Sequence, residues 1–415
     1  MHRSDIGHRL APVLAVMAVT LGCTVPGSPS PEYADPATLD VGAYSVWPLD
    51  PPDTSTESYG RVLESVRMAE VTVDPVEVDP SLVFATMNWG VVPVPTPVKV
   101  AMFLAEPVRA VLEREQMLAG TLVSRTDRPH AVDGPVVGTA TTLTVVVLRF
   151  PDAAAAERAA RDIDAVDAAV NSDNVAVPIA QYPAAQAHWR PNVPTMAATI
   201  ARDSYVVSVL AAVPSTDLSA LTELAAGAFD RQLPRLADFA PTPRDQLAAL
   251  PLDPDGMLGR TVPDAPNRWS YPAIPINTAD RNAGWAASAD VIGVVFRERG
   301  GWLWLGEPEV ENHPERTAIT GSVVLFRYVD AVAARRAYIH SNRVEAANDA
   351  IRMVDGPAGV ADSTCAVDPN STTIALGSSC RVLVGRYVAY IKAGDIVTAR
   401  RKAAAQYGIL VNAGA

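Results

Sequence analysis

Hydrophobic positions fall along this chain in three rhythms, and each predicts a different kind of element. Leu10–Leu21 is a largely apolar run of 12 residues behind Arg3 and Arg9. That length suits the h-region of a signal peptide and is too short to cross a bilayer. Val145-Val146-Val147-Leu148 is a β-branched run between Thr144 and Arg149, the signature of a strand. Ala156, Ala159, Ala160 and Ile163 then recur at i, i+3, i+4 and i+7, with Glu157, Arg158, Arg161 and Asp162 mostly off that stripe. This is an amphipathic helix. Asp152 falls between strand and helix, where an N-cap belongs. A short strand follows near Met196–Ile200, a longer one over Tyr205–Ala211, and a second amphipathic helix over Leu218–Leu233.

The same succession returns later in the chain. Val145–Ala153 is matched by Val323–Ala331, with Asp152 and Asp330 lying 178 positions apart. At that offset Ala155-Ala156 matches Ala333-Ala334, Arg158-Ala159 matches Arg336-Ala337, Pro191-Asn192 matches Pro369-Asn370, and Thr195 and Ala197 match Thr373 and Ala375. A four-residue insertion then brings Tyr205-Val206 onto Tyr387-Val388, and a last helix runs over Val397–Leu410. The period is too long for a solenoid and reads as one domain duplicated. Strand, helix, strands, helix, with one apolar face per helix, predicts an α+β fold. It consists of tandem duplicated domains, each an antiparallel or mixed sheet with helices packed on it. Val108–Val123 and Trp285–Leu305 are expected to complete the two sheets.

The resulting division is a signal peptide over 1–22, a flexible tether over 23–36, a first domain over 37–235, a Pro-rich linker over 236–270 and a second domain over 271–415. Arg244–Leu250 is expected to be partly helical within the linker.

Composition changes this picture in two places. The formal charge of -12 and the pI near 5.0 argue against nucleic acid, which needs a basic footprint. They also deny the surface electrostatic help in meeting anionic lipid, so membrane attachment must come from the N-terminus. There, Thr20-Leu21-Gly22-Cys23 resembles the bacterial lipobox, in which the signal peptide is cut off before the cysteine, whose thiol receives diacylglycerol. Thr20 stands where the usual Leu lies, and an ordinary secretory signal is the alternative. Pro26-Gly27-Ser28-Pro29-Ser30-Pro31 then reads as a tether, so Cys23 is the expected lipidation site. Export places Cys365 and Cys380 in an oxidising compartment, where they are expected to form a disulfide; a reactive thiol pair is the alternative. Cys365 aligns with Ala187 in the first copy, beside His188 and Trp189, which suggests aromatic packing in place of the disulfide there.

Three segments, Leu39-Asp40-Val41-Gly42-Ala43-Tyr44, Glu64-Ser65-Val66-Arg67-Met68-Ala69-Glu70 and Pro107-Val108-Arg109-Ala110-Val111-Leu112, resemble a family of actinobacterial lipoproteins known only as a domain of unknown function. The resemblance covers most of the mature chain and implies location and fold, not catalysis. The paired cysteines before Gly385-Arg386-Tyr387-Val388, with a helix after them, are similar to extracellular sensor domains of actinobacterial serine/threonine kinases. That likeness implies a binding cleft without active-site residues.

Chemistry is sparse. The chain has no G-x-S-x-G elbow, H-E-x-x-H helix, P-loop or dinucleotide fingerprint, and no cofactor is expected. His130, His188, His313 and His340 are not spaced as ligand pairs. Glu307, Glu309, Glu311, His313 and Glu315 alternate in a way that can hold a divalent cation, but two prolines make a polar surface loop the preferred reading, and no metal is assigned. Asp253-Pro254-Asp255-Gly256 reads as a turn. Trp302 and Trp304 would share one face of a strand, with Trp285 upstream, and are candidates to line a carbohydrate or lipid pocket. The expected function is that of a non-enzymatic envelope lipoprotein, anchored on the extracytoplasmic side, that binds an envelope lipid, glycan or protein partner. The alternative is an envelope-directed hydrolase with its site between the two domains.

Overall fold

A computed structural model describes residues 33–414 apart from 54, 88–89, 131–133, 278–287, 307–311 and 370–376. The signal peptide, Cys23 and Trp285 lie outside the described residues. So do most of the tether, most of the Glu307–Glu315 loop, and Asn370, Thr373 and Ala375 of the repeat alignment.

Thr56 starts the first helix, α1 (Glu57–Met68), its hydroxyl accepting the Tyr59 N–H. Strands β1 (Phe84–Ala85) and β2 (Val91–Pro93) and helices α2 (Pro97–Val100) and α3 (Val108–Arg114) precede the repeated unit. The first copy then runs β3 (Ala119–Thr126), β4 (Thr142–Arg149), α4 (Ala153–Ala168), β5 (Val175–Ala176), β6 (Gln186–Trp189), β7 (Thr195–Arg202), β8 (Tyr205–Ala212) and α5 (Leu218–Arg235). After two short strands, β9 (Ile276–Asn277) and β10 (Ser288–Ala289), come β11 (Val294–Arg297) and α6 (Glu298–Leu305). The second copy is β12 (Arg316–Ile319), β13 (Val323–Arg327), α7 (Ala331–Ala346), β14 (Arg352–Asp355), β15 (Ser363–Val367), β16 (Ser378–Val384), β17 (Tyr387–Ala393) and α8 (Ile396–Asn412).

The two sheets share one strand order, apart from an additional strand in the first. The first has the order β1-β3-β4-β8-β7-β6-β5, with β2 also on β3; the second has β11-β12-β13-β17-β16-β15-β14. Every pairing in both is antiparallel. The Asp predicted to cap each crossover helix does so: Asp152 accepts the Ala155 N–H at 2.8 Å and Asp330 the Ala333 N–H at 2.7 Å. The expected α+β fold of two duplicated sheets with packed helices is therefore present.

Alternation along β4 sorts its residues between two cores. Val145 and Val147 join the core under α5, while Val146 and Leu148 join the one under α4 and α1. That second core does not stop at the first copy. It takes in Val294, Phe296, Leu303, Trp304 and Ile319 from the second half, and Leu252 from between them. The Pro-rich segment also buries Leu247, Met257, Leu258 and Val262. Residues Ala34–Ala415 accordingly form one unit by their contacts.

One expected element differs. Trp302 and Trp304 stand on the helix α6, not on a strand. On a helix, positions two apart point about 200° from each other, so the two rings cannot share a face. A short apolar run is ambiguous between strand and helix, and here contacts from elsewhere in the fold decide it. Arg297 gives α6 no side-chain cap, but the Glu70 carboxylate, from the other half, accepts the Gly300 N–H at 2.8 Å. Gly306 closes the helix in the left-handed region at φ 73°.

Candidate functional site

A cleft of about 460 Å³ that combines charge with apolar surface lies between the two halves. Its volume lies in the usual range for small-molecule sites. Three pieces of chain build it: the inner side of α1, the segment around 240–255, and the edge of the second sheet.

The first wall comes from α1. Leu63 and Val66 supply apolar surface, and Arg67 and Glu70 stand at the helix end. Beneath them Glu64 is fully buried and saturated. It accepts from Arg149 Nη1 at 2.5 Å, from Arg67 Nη1 at 2.5 Å, and from the Thr242 N–H and hydroxyl at 3.0 and 2.8 Å. These bonds pin the intervening segment onto α1. Leu247 closes the same seam, where a Cβ on Gly60 would lie 2.0 Å from the Leu247 carbonyl oxygen, so only glycine fits there. Ala249, Leu250 and Pro251 continue the apolar lining.

The opposite wall is unusual. Arg297 on β11 pairs directly with Arg316 on β12, and Arg316 with Arg327 on β13. Three guanidinium groups thus stand side by side across adjacent strands, an arrangement that like-charge repulsion disfavours. Asp255 offsets part of it. Held in the left-handed region at φ 65°, it accepts from Arg316 Nε at 2.5 Å and lies 3.9 Å from Arg327. The Arg316 hydrogen bond keeps the Asp255 carboxyl below its usual range. Glu315 approaches Arg327 at 3.5 Å. Arg297 is exposed and makes no side-chain hydrogen bond or ion pair among the described residues; its charge meets those of Glu70 and Asp255 across the cleft only at longer range.

Glu70 separates this cleft from a second, more open hollow of about 320 Å³ lined by Glu70, Glu298, Arg299, Trp302 and His313. Burial pushes the Glu70 carboxyl above the usual carboxylate range, against the pull of the Gly300 and Arg299 N–H groups. The Arg299 guanidinium lies 5.5 Å from the Trp302 ring centroid, and the His313 ring meets that indole edge-on at 5.6 Å. Burial lowers the pKa of His313.

The structure separates the tryptophan candidates. Trp302 lines the open hollow, Trp304 is only 3% exposed in the shared core, and Trp285 is outside the described residues. Cys365 and Cys380 are disulfide-bonded as a cross-strand pair of β15 and β16, with Cα atoms 4.0 Å apart. The matching pair in the first copy is Ala187 and Ala198, both buried, with Trp189 packed against the same core. Small apolar residues and their neighbours thus occupy the place of the disulfide. Sequence reading passed over the arginine row and Asp255. Arg297 and Arg316 become neighbours only through strand register, which no local motif records, and the Asp-Pro-Asp-Gly turn gave no sign of where its second carboxylate points.

Family models for a domain of unknown function, DUF7373, match residues 51–252 with the N-terminal part and 305–413 with the C-terminal part. The chain belongs to this family. Comparison with curated proteins and with solved structures finds no match to either.

Proposed function

We propose that this chain is a lipid-anchored protein of the cell envelope that works by binding, and that its ligand is an amphiphile with an anionic group, held in the cleft between the two halves. The observation that carries the reading is the row Arg297–Arg316–Arg327 opening onto an apolar-walled cleft. In a chain of net charge -12, a guanidinium without a direct ion-pair partner among the described residues, beside Leu63, Val66, Leu250 and Val295, is a local reversal of character. A carboxylate or phosphate would relieve the repulsion in the row, and an alkyl or prenyl chain would cover the apolar wall. Anchoring through Cys23 rests on the signal-like N-terminus and the tether behind it.

The test is native mass spectrometry of residues 31–415, incubated with palmitate, phosphatidylglycerol or a neutral diacylglycerol. The wild-type chain is expected to carry the anionic amphiphiles in preference to the neutral one. Arg297→Glu should weaken that retention about tenfold or more, the loss expected when a charged hydrogen bond is replaced by repulsion. Because Arg297 bonds to no described residue, the variant should fold normally. Equal retention of neutral and anionic probes, or an Arg297→Glu chain that binds like wild type, would remove the basis for the reading. Recovery of cleaved probe would replace it with a hydrolytic one.

A further inference from the structure

The duplication offers a control for each exposed surface, because every position on one crossover helix has a counterpart 178 residues away on the other. On α4 the outward line is Ala154, Arg158, Arg161 and Ala165, flanked by Glu157 and Asp162. A helix lies over part of it: α3 packs on α4, Arg114 pairs with Asp162, and Arg158 donates to Glu115 at 2.9 Å. On α7 the same line reads Val332, Arg336, Ile339 and Arg343, flanked by Arg335 and His340. No helix covers it among the described residues. α6 holds the place in chain order that α3 holds in the first copy, but it packs against residues 69–71 and β2 of the first half. α7 therefore buries little more than Ala334 and Tyr338. Val332 remains 60% exposed, Ile339 41%, Val344 59%, and Val329 just before the helix 64%.

Charge changes in the same direction as exposure. The flanking acids Glu157 and Asp162 become Arg335 and His340, while on the line itself Arg161 becomes Ile339 and Ala165 becomes Arg343, so that two arginines remain there without acids beside them. Arg335 is bonded to Asp362 at 2.5 Å, and Glu345 at the inner edge is taken by Arg381 at 2.9 Å. Arg336 and Arg343 have no ion-pair partner among the described residues, and no carboxylate stands on the outward line. An acidic protein thus presents one helix face of branched aliphatics alternating with unpaired arginines.

We propose that the outer face of α7 is a membrane-docking surface that seats on anionic phospholipid headgroups. The arginines match lipid phosphate, and guanidinium stems reach outward while neighbouring Val and Ile side chains enter the acyl boundary. The aliphatics are spread along a convex helix, not gathered in a groove, which suits a fluid interface better than a shaped protein partner. The stretch 23–33 of the tether spans at most about 35 Å when extended, enough to let an anchored chain lie against its own bilayer. The cleft ligand plays no part here, and the anchor bears only on which membrane is met, so vesicle binding by the unanchored chain is read separately from either reading.

Residues 31–415 are to be floated with vesicles of phosphatidylcholine, with and without phosphatidylglycerol, at low and high salt. The wild-type chain should float with the anionic vesicles, and high salt should release it. Arg336→Glu with Arg343→Glu should cut partition at least about tenfold, given the usual contribution of each basic residue near an anionic surface. Val332→Ser with Ile339→Ser should reduce it at unchanged salt dependence, while Arg161→Glu with Arg231→Glu, on exposed arginines elsewhere, should not change it. Both α7 variants replace exposed side chains, and unchanged circular dichroism and melting temperature confirm that they fold. Equal flotation with both vesicle types, no flotation, or α7 variants that float like wild type would overturn the proposal. Retention on a polyglutamate resin without flotation would do the same and assign the face to an acidic protein.

Discussion

At the scale of single residues, the stability of this protein depends on a few charged groups taken out of water with their partners. Arg125 and Asp74 are both fully buried; Arg125 donates to Asp74 through two nitrogens, and also to the carbonyls of Val83 and of Gly306 in the other half. His188 is a titratable case. Its Nδ1 lies 2.8 Å from Asp164 and its Nε2 3.8 Å from Asp167. Burial opposes charge on the ring, but the Asp164 hydrogen bond and the charges of both aspartates outweigh it and raise the pKa above 6.5. A base raised on folding contributes stability that is fully present below its unfolded pKa and is lost as pH rises through the folded one. The destabilisation caused by His188→Gln should therefore be greatest below about pH 6.5 and shrink as pH rises beyond the raised value. Urea midpoints of both proteins across that range measure it, and a difference independent of pH would show that the ring acts by packing alone.

At the scale of elements, the two copies solve one problem in two ways. In the first, α4 buries Ala155, Ala156, Ala159, Ala160 and Ile163 against its sheet. In the second, α7 contributes to a small cluster of Tyr328, Ala334, Tyr338, Leu383 and Val388 and meets β15 through hydrogen bonds of Tyr338 and Asn342 with Thr364, while α8 packs on β15 as well. The disulfide adds a covalent tie at the β15–β16 pair. Closing a loop of 15 residues contributes about 3 kcal/mol by restricting the unfolded chain. Cys365→Ala with Cys380→Ala should cost about that much, with hydrogen exchange accelerated in β14–β16 and not in β5–β7. Uniform acceleration over both sheets would mean that the bridge supports the whole unit and not this corner. Much of this scale was legible in the sequence. The Val-Val-Val-Leu-Arg run with its Asp cap, the offset of 178 and the cysteine pair each state local rules, and each reappears as strand, helix cap and cross-strand bridge. Trp302 and Trp304 were not legible as helix, because the group that caps α6 is Glu70, more than two hundred residues earlier. The arginine row escaped for the same reason: register across β11, β12 and β13 is a property of the folded sheet.

At the scale of the molecule, duplication has not yielded two independent bodies. Phe296, Leu303 and Trp304 of the second half are buried among Val62, Val66, Ala69 and Val91 of the first. Backbone meets backbone at the same seam: the Gly90 N–H donates to the Trp304 carbonyl at 3.2 Å, and a Cβ on Gly90 would lie 1.9 Å from the Leu303 carbonyl oxygen. Separating the halves would return those aromatic and aliphatic surfaces to water and strip α6 of its cap. Each large side chain exposed in this way costs about 1.5–3 kcal/mol, so the loss from a handful is comparable to the whole stability of a typical domain. Residues 271–415 alone should therefore fail to fold, lacking the dispersed amide spectrum of a native chain, although they contain a complete sheet and the disulfide. Residues 34–415 should melt in one transition whose calorimetric and van't Hoff enthalpies agree. Two resolved transitions, or a well-dispersed spectrum from 271–415, would show that the shared core is a contact between self-sufficient bodies. The cleft would then be free to open as a hinge. A single transition instead makes its two walls, α1 and the β11–β12 edge, parts of one cooperative unit, so that neither wall persists without the other.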